Sequence, residues 1–194
     1  DSGYYERYML SQNPQSLALE TAKKATGNIF LDNYVLDFLD VPEPMSEHDL
    51  QKSIIRNLKD FILEIGKDFT FVGEEYRVQV GNHDFFIDLL FYHRGLSCLV
   101  AFELKIGEFK PEYVGQINLY LEALDREVKK ENENPSVGII LCASKDDEVV
   151  EFALSRSLSP TMVAEYNLKL IDKKLLQKKL KEYIELAKLT EENT

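Results

Sequence analysis

From Phe69 to Lys105 the hydrophobic period of the chain is two, and no other stretch limits the fold as tightly. Gly73, Gly81-Asn82 and Arg94-Gly95 punctuate it, so it is expected to form three strands joined by tight turns, an antiparallel meander. The period then changes. Pro111 sits where a first helical turn would begin, and Tyr113, Ile117, Tyr120, Leu121, Leu124 and Val128 recur at helical spacing before the polar run that ends at Asn134 and Pro135. Val137-Gly138-Ile139-Ile140-Leu141-Cys142 follows as a continuous apolar run, the mark of a strand buried on both faces and added in parallel through a helical crossover. These features predict an α/β fold: a mixed β-sheet, antiparallel meander plus parallel strand, flanked by helices.

The remaining elements are shorter. Ser46 and Asp49 form a capping-box pattern ahead of Leu50, Ile54, Leu58, Phe61, Ile62 and Ile65, which predicts one helix over 46–65 ended by Gly66. Residues 31–40 carry a short helical pattern, and Pro42 and Pro44 then set a domain boundary near residue 45. A short helix is expected over 147–155, a last strand over 163–168, and an amphipathic helix from Asp172 to Ala187. The sequence opens on Asp1, without an initiator Met, which reads as a fragment or processed chain whose first 25 or so residues are poorly ordered. Three segments result: an extension over 1–45, the main domain over 46–170, and a C-terminal amphipathic helix and tail over 171–194.

A chain of 194 residues with 44% hydrophobic and 29% charged residues can bury one core of its own and reads as soluble and globular. It has no apolar run near the roughly 18 residues of a membrane span and no signal-peptide plan at its start. Cys98 and Cys142 sit within apolar stretches, as reduced thiols do, which points to the cytoplasm. The net charge of −11 argues against a surface that binds phosphates everywhere. The one Lys-rich segment, 169–188, reads as a solvated helix face before it reads as a grip on DNA.

Chemistry is sought where polar side chains interrupt a core-facing pattern, because burying a carboxylate is costly unless it is paired or ligates a metal. Alternation along 83–92 sets Phe86, Asp88 and Leu90 on one face and Phe85, Ile87, Leu89 and Phe91 on the other, leaving Asp88 between large apolar neighbours. On the next strand Leu99, Ala101, Glu103 and Lys105 share a face. Asp88 and Glu103 become cross-strand neighbours if the hairpin pairs residues whose numbers sum to an odd value, as a two- or four-residue turn around Arg94-Gly95-Leu96 would arrange. Two carboxylates about 5 Å apart repel unless a cation lies between them, and hard oxygen ligands suit Mg²⁺ or Mn²⁺. The alternative is a structural salt bridge from Lys105 to either acid.

Glu47 falls on the inward stripe of the first helix and could lean over the same sheet end, although an acid there also suits the helix dipole. Gln116 and Tyr120 fall on or beside the apolar stripe of the next long helix, where an amide needs a partner; a buried structural amide is the other reading. Glu-x-Lys alone is weak, since it recurs at Glu108-Phe109-Lys110 and Glu127-Val128-Lys129. His48, His83 and His93 lack zinc-ligand spacing, and no phosphate loop, dinucleotide fingerprint or nucleophile elbow is present.

An acid on a first helix, Asp on a strand, Glu-x-Lys on the next strand and a helical Gln resemble the PD-(D/E)XK nuclease superfamily, through Glu47, Asp88, Glu103-Leu104-Lys105 and Gln116 in matching order. The stretch from Phe71 to Tyr166, with Gly81-Asn82-His83-Asp84-Phe85-Phe86-Ile87-Asp88 and Glu103-Leu104-Lys105-Ile106-Gly107-Glu108-Phe109-Lys110-Pro111-Glu112-Tyr113, looks like the C-terminal nuclease domain of the bacterial YhcG family. Ile87-Asp88 stands where the superfamily has Pro-Asp.

The resemblance implies a restriction-endonuclease-like core and Mg²⁺-dependent hydrolysis of phosphodiesters, most readily in DNA, with Mn²⁺ as a substitute. It implies that Asp88, Glu103 and the Leu104 carbonyl hold the metal, with Glu47 completing the acidic set. Lys105 would orient the nucleophile, and Gln116 would position water or Lys105. It implies roles in DNA defence, recombination or repair, and an N-terminal helical DNA-binding domain for which this chain has no room. The rival readings are a nuclease fold kept as a binding or dimerisation module, as in a homodimer, and a hydrolase of another phosphate ester.

Overall fold

The computed structural model describes residues 29–169 apart from positions 67 and 158. The expectations for the first 25 or so residues and for a helix over 172–187 lie outside them. In chain order the described elements are β1 (Asn33–Val35), α1 (Glu47–Arg56), α2 (Leu58–Ile65), β2 (Phe69–Val80), β3 (His83–His93), β4 (Cys98–Leu104), α3 (Glu112–Glu127), β5 (Val137–Cys142), α4 (Asp147–Leu154) and β6 (Thr161–Asn167). The strands form one mixed sheet in the order β1-β6-β5-β4-β3-β2. The meander β2-β3-β4 is antiparallel, whereas β5, β6 and β1 add in parallel.

Turn lengths set the register of the meander. Val80 pairs with His83 across the two-residue turn Gly81-Asn82, where Gly81 takes φ +62°, a conformation open to glycine without strain. His93 pairs with Cys98 across the four-residue turn 94–97, so β3 and β4 pair residues whose numbers sum to an odd value, as in Leu89 with Phe102. Gly73 does not end a strand; β2 continues through a shift of register between Phe71 and Gly73.

Two buried layers flank the sheet. On one face Leu50, Ile54, Phe61 and Ile65 of α1 and α2 pack on Leu89, Phe91, Val100, Phe102, Ile139 and Leu141. Phe61, Phe69, Phe91 and Phe102 meet there with ring centroids 5.4 to 6.2 Å apart, pairings worth about 0.5–1.5 kcal/mol each beyond area burial. On the other face Val114, Ile117, Leu121 and Leu124 of α3 cover Leu90, Leu99, Ala101, Ile140 and Val163. The helix lies so close to β5 that a Cβ on Gly138 would stand 2.6 Å from Ile117 Cγ1 and 3.2 Å from Leu121 Cδ1. No helix among the described residues is long and apolar enough to cross a membrane. Both cysteines are buried and unpaired.

Three expectations are corrected. The helical pattern over 31–40 is instead the strand β1, which pairs with β6 as Tyr34 opposite Tyr166, and Phe30, Tyr34, Leu36 and Leu39 are buried in the same core as α1 and α2. Pairing to an available strand overrides so short a periodicity, and the chain before Pro42 thus contributes to the sheet. The helix expected over 46–65 is two helices, broken at Asn57, whose backbone leaves the helical region at φ −111°, ψ 31°. Asn57 Nδ2 donates to the Ser53 carbonyl, the local competition for backbone that disfavours asparagine inside helices. Its start is as expected, since Ser46 and Asp49 form the reciprocal capping box. The last strand begins at Thr161, two positions before the apolar pattern suggests.

Candidate active site

The β3–β4 ladder stops at Leu89 with Phe102, one step before Asp88 and Glu103 would pair. Pairing with β2 lapses at the same place: Glu74 pairs with Leu89 and Tyr76 with Ile87, but no pair joins Glu75 to Asp88. Glu75 takes φ +45°, the left-handed region that few residues other than glycine visit. The strand changes phase here, and Ile87, expected to share a face with Leu89 and Phe91, packs with Leu90 instead.

Side chains reach the backbone at this interruption. The Leu104 N–H donates to Asp88 Oδ2 at 2.7 Å, and Gln51 Nε2 on α1 donates to the Asp88 carbonyl at 2.9 Å. Asp88 is therefore held by contacts to both its side chain and its carbonyl where β3 parts from β4. Its carboxyl is pushed above the usual range, first by burial; the Leu104 N–H and Lys105 oppose the shift, and the charges of Glu47 and Glu75 add to it.

Glu103 and Lys105 project from the Leu99 and Ala101 face of the chain, as their spacing requires. Glu103 is 2% exposed and Lys105 8%. Lys105 Nζ lies 2.9 Å from Glu103 Oε1 and 3.3 Å from Glu47 Oε2, so it bridges the strand acid and the helix acid. It also stands 5.1 Å from the centroid of the Tyr113 ring, within cation–π range. Burial pulls the ammonium down, but its hydrogen bonds and charge pairing with the two glutamates hold it above its usual value. Glu103 is pushed up to about 7, chiefly by burial and then by the charge of Asp88, with Lys105 opposing. Glu103 Oε2 is buried without a hydrogen-bond partner.

Asp88, Glu103, Lys105 and Glu47 thus converge. Gln116 does not join them: it is exposed rather than buried, and its Nε2 donates to the buried Tyr120 hydroxyl at 2.8 Å. Of Leu104, the N–H and not the carbonyl contacts Asp88. Three further residues belong to the site and are not apparent from motif spacing: Gln51, Glu75 and Tyr113. Gln51 carried a readable signal, a polar residue one turn beyond Glu47 and beside Leu50 and Ile54.

Among the described residues no three His, Cys, Asp or Glu side chains form a ready metal-holding group. The chemistry of the donor set nonetheless fits a hard cation. Asp88 and Glu103 are half-buried and buried acids, both pushed up chiefly by burial and Glu103 also by the charge of Asp88, and one oxygen of Glu103 has no partner. A positive charge between them would offset both costs.

Comparison with known proteins follows the same lines. The family model described as the YhcG PDDEXK nuclease domain matches residues 27–181. The chain is 35% identical over 181 residues to "Putative nuclease YhcG" of Escherichia coli (strain K12), a match that covers 91% of this chain and 48% of that protein. The chain spans about half the length of that curated relative. More distant likenesses are a repair endonuclease from Pyrococcus abyssi (19% identity, 64% of this chain and 46% of that one, TM-score 0.42) and the EndoMS-dsDNA2 complex (20%, 62% and 44%, TM-score 0.44).

Proposed function

The chain belongs to the YhcG PDDEXK nuclease domain family, and on that premise we propose that it is a metal-dependent nuclease that hydrolyses phosphodiester bonds in DNA. The observation that carries the reading is the convergence of Asp88, Glu103 and Lys105 where β3 and β4 separate, with one buried Glu103 oxygen lacking a partner. In this reading Asp88, Glu103 and the Leu104 carbonyl hold Mg²⁺ or Mn²⁺, and Glu47 completes the set. When bound, the metal supplies a water of lowered pKa and polarises the scissile phosphate.

The chain's own residues do the rest. The Leu104 N–H fixes the rotamer of Asp88, so one carboxylate oxygen is committed and the other remains for the cation. Lys105, held by Glu103, keeps its proton and offers a fixed positive charge where negative charge grows on the phosphate. Tyr113 walls that ammonium on one side, and the Tyr120 hydroxyl on α3, which accepts the Gln116 amide, lies near enough to feel the charges of Glu103, Asp88 and Lys105. We propose a bacterial, cytoplasmic protein acting in DNA defence, recombination or repair, in which an N-terminal domain beyond this chain delivers the substrate. The occupation of Lys105 by two glutamates favours a second reading, a nuclease fold that binds or dimerises and is inactive without its N-terminal domain or a partner.

The test is cleavage of labelled single-stranded, duplex and branched DNA with Mg²⁺, Mn²⁺ or EDTA, beside Asp88→Ala and Lys105→Ala. Metal-dependent cleavage that falls by about a hundredfold or more in both variants supports the assignment. Cleavage in EDTA, or an Asp88→Ala variant as active as the parent, overturns it. Metal binding that depends on Asp88 without cleavage turns the reading to the second.

A further inference from the structure

We propose that Gln51 is a positioning residue that holds the candidate metal-binding carboxylate of Asp88 in place through the backbone. The inference rests on the nuclease reading but concerns a residue that never meets the substrate. In a regular ladder the Asp88 carbonyl would take an N–H from a neighbouring strand. Here the pairing with β2 skips Glu75 and Asp88, and the ladder to β4 has already ended at Leu89 with Phe102. The Asp88 carbonyl thus lies where the ladder is interrupted, and Gln51 Nε2 reaches it from α1 at 2.9 Å.

Gln51 is 3% exposed, so water does not compete freely for that carbonyl. Its helix is anchored to the same stretch of β2 by Lys52, 3.1 Å from Glu74, and by His48, 3.9 Å from Glu75. Its own start is fixed by the Ser46 and Asp49 capping box. The contact thus ties a rigid helix to the peptide whose side chain takes the Leu104 N–H at 2.7 Å. Without the amide donor, the Asp88 peptide is free to turn toward water or back toward β2. Its side chain then loses the register that brings Oδ2 to Leu104 and the other oxygen beside Glu103. Partners that hydrogen-bond a metal ligand directly typically govern affinity by ten- to a hundredfold, and Gln51, acting through the Asp88 backbone, is expected at the lower end of that range.

The experiment compares the parent chain with Gln51→Met, which keeps volume but cannot donate, and Gln51→Asn, whose amide is one methylene too short. Mn²⁺ affinity is read by paramagnetic resonance, and amide exchange at Leu104 is read relative to Ile140 and Leu141 in β5. The expected result is Mn²⁺ binding at least tenfold weaker in both variants, with Leu104 exchanging faster while the β5 amides stay protected. Parent-like Mn²⁺ affinity with a protected Leu104 amide overturns the proposal, as does uniform acceleration of all three amides in both variants, which would mark Gln51 as a general stabiliser. If the parent chain binds no Mn²⁺, the metal reading fails by itself, and Leu104 exchange alone still decides whether Gln51 positions Asp88.

Discussion

Replacing Glu103 with glutamine should change how stability depends on pH, in a direction fixed by the burial of that side chain. In the folded, metal-free chain Glu103 is pushed from an ordinary 4.5 up to about 7, by burial first and by the neighbouring Asp88 charge second. A carboxyl whose pKa rises on folding favours the folded state while it is protonated. Its contribution is fully present below the unfolded value and is lost as pH climbs through the folded one. The parent chain should therefore lose stability between about pH 4.5 and 7, and at 1.36 kcal/mol per unit the loss attributable to Glu103 is at most about 3 kcal/mol. Asp88 shares the site and is shifted the same way, so part of the loss belongs to the pair.

His93, lowered by its own burial, contributes the opposite slope in the acid range, but equally in both proteins. The difference between urea-unfolding curves of parent and Glu103→Gln, measured at intervals from pH 4.5 to 8 with EDTA present, isolates the Glu103 contribution. Glutamine cannot ionise, so the variant should be flatter by about 2–3 kcal/mol across the window. Millimolar Mg²⁺ should recover stability for the parent at pH 8 and do little for the variant. Parallel pH profiles for the two proteins would refute the reasoning, because they would mean that the burial of Glu103 does not outweigh its pairing with Lys105.

The approach of α3 to β5 makes Gly138→Ala costly by about 1–3 kcal/mol, since the new methyl would meet Ile117 Cγ1 at 2.6 Å; a urea midpoint equal to the parent's would show that the helix shifts freely. The Cys98 and Cys142 thiols are pushed up to about 12 and about 11, chiefly by burial, so neither forms thiolate near neutrality. An aromatic disulfide reagent should find both unreactive in the native chain and both reactive in urea, and fast native labelling of either would contradict that packing.

The legible parts of the fold are those in which one local rule governs. Gly81-Asn82 marked one hairpin, and the unbroken apolar run at 137–142 required a strand covered on both faces, whereas the turn after His93 left the parity of β3 and β4 open until its four-residue length was seen. The face shared by Glu103 and Lys105 followed from strand geometry alone. What escaped depends on contacts between distant segments. β1 is a strand because β6 offers it an edge, and Asn57 breaks the helix because a side-chain amide competes for its backbone. The lapse at Asp88 is a property of three strands at once, which is why Glu75 and Gln51 carry no motif. Gln116 and Tyr120 fall on or beside one helical stripe by spacing, and the structure leaves the Gln116 amide exposed, donating to the buried Tyr120 hydroxyl.

The pairing of β1 with β6 also orders events in time. Asn33 and Glu165, opposite one another in the sheet, are 132 residues apart in sequence. During synthesis Phe30, Tyr34 and Leu36 leave the ribosome long before the strand that covers them exists, whereas the β2-β3-β4 meander can close from neighbouring residues. A nascent chain therefore carries this apolar segment without its partner strand until about residue 167 has emerged. Closing the sheet at that edge is therefore expected to come after the meander has formed, because its loop-closure entropy is the larger.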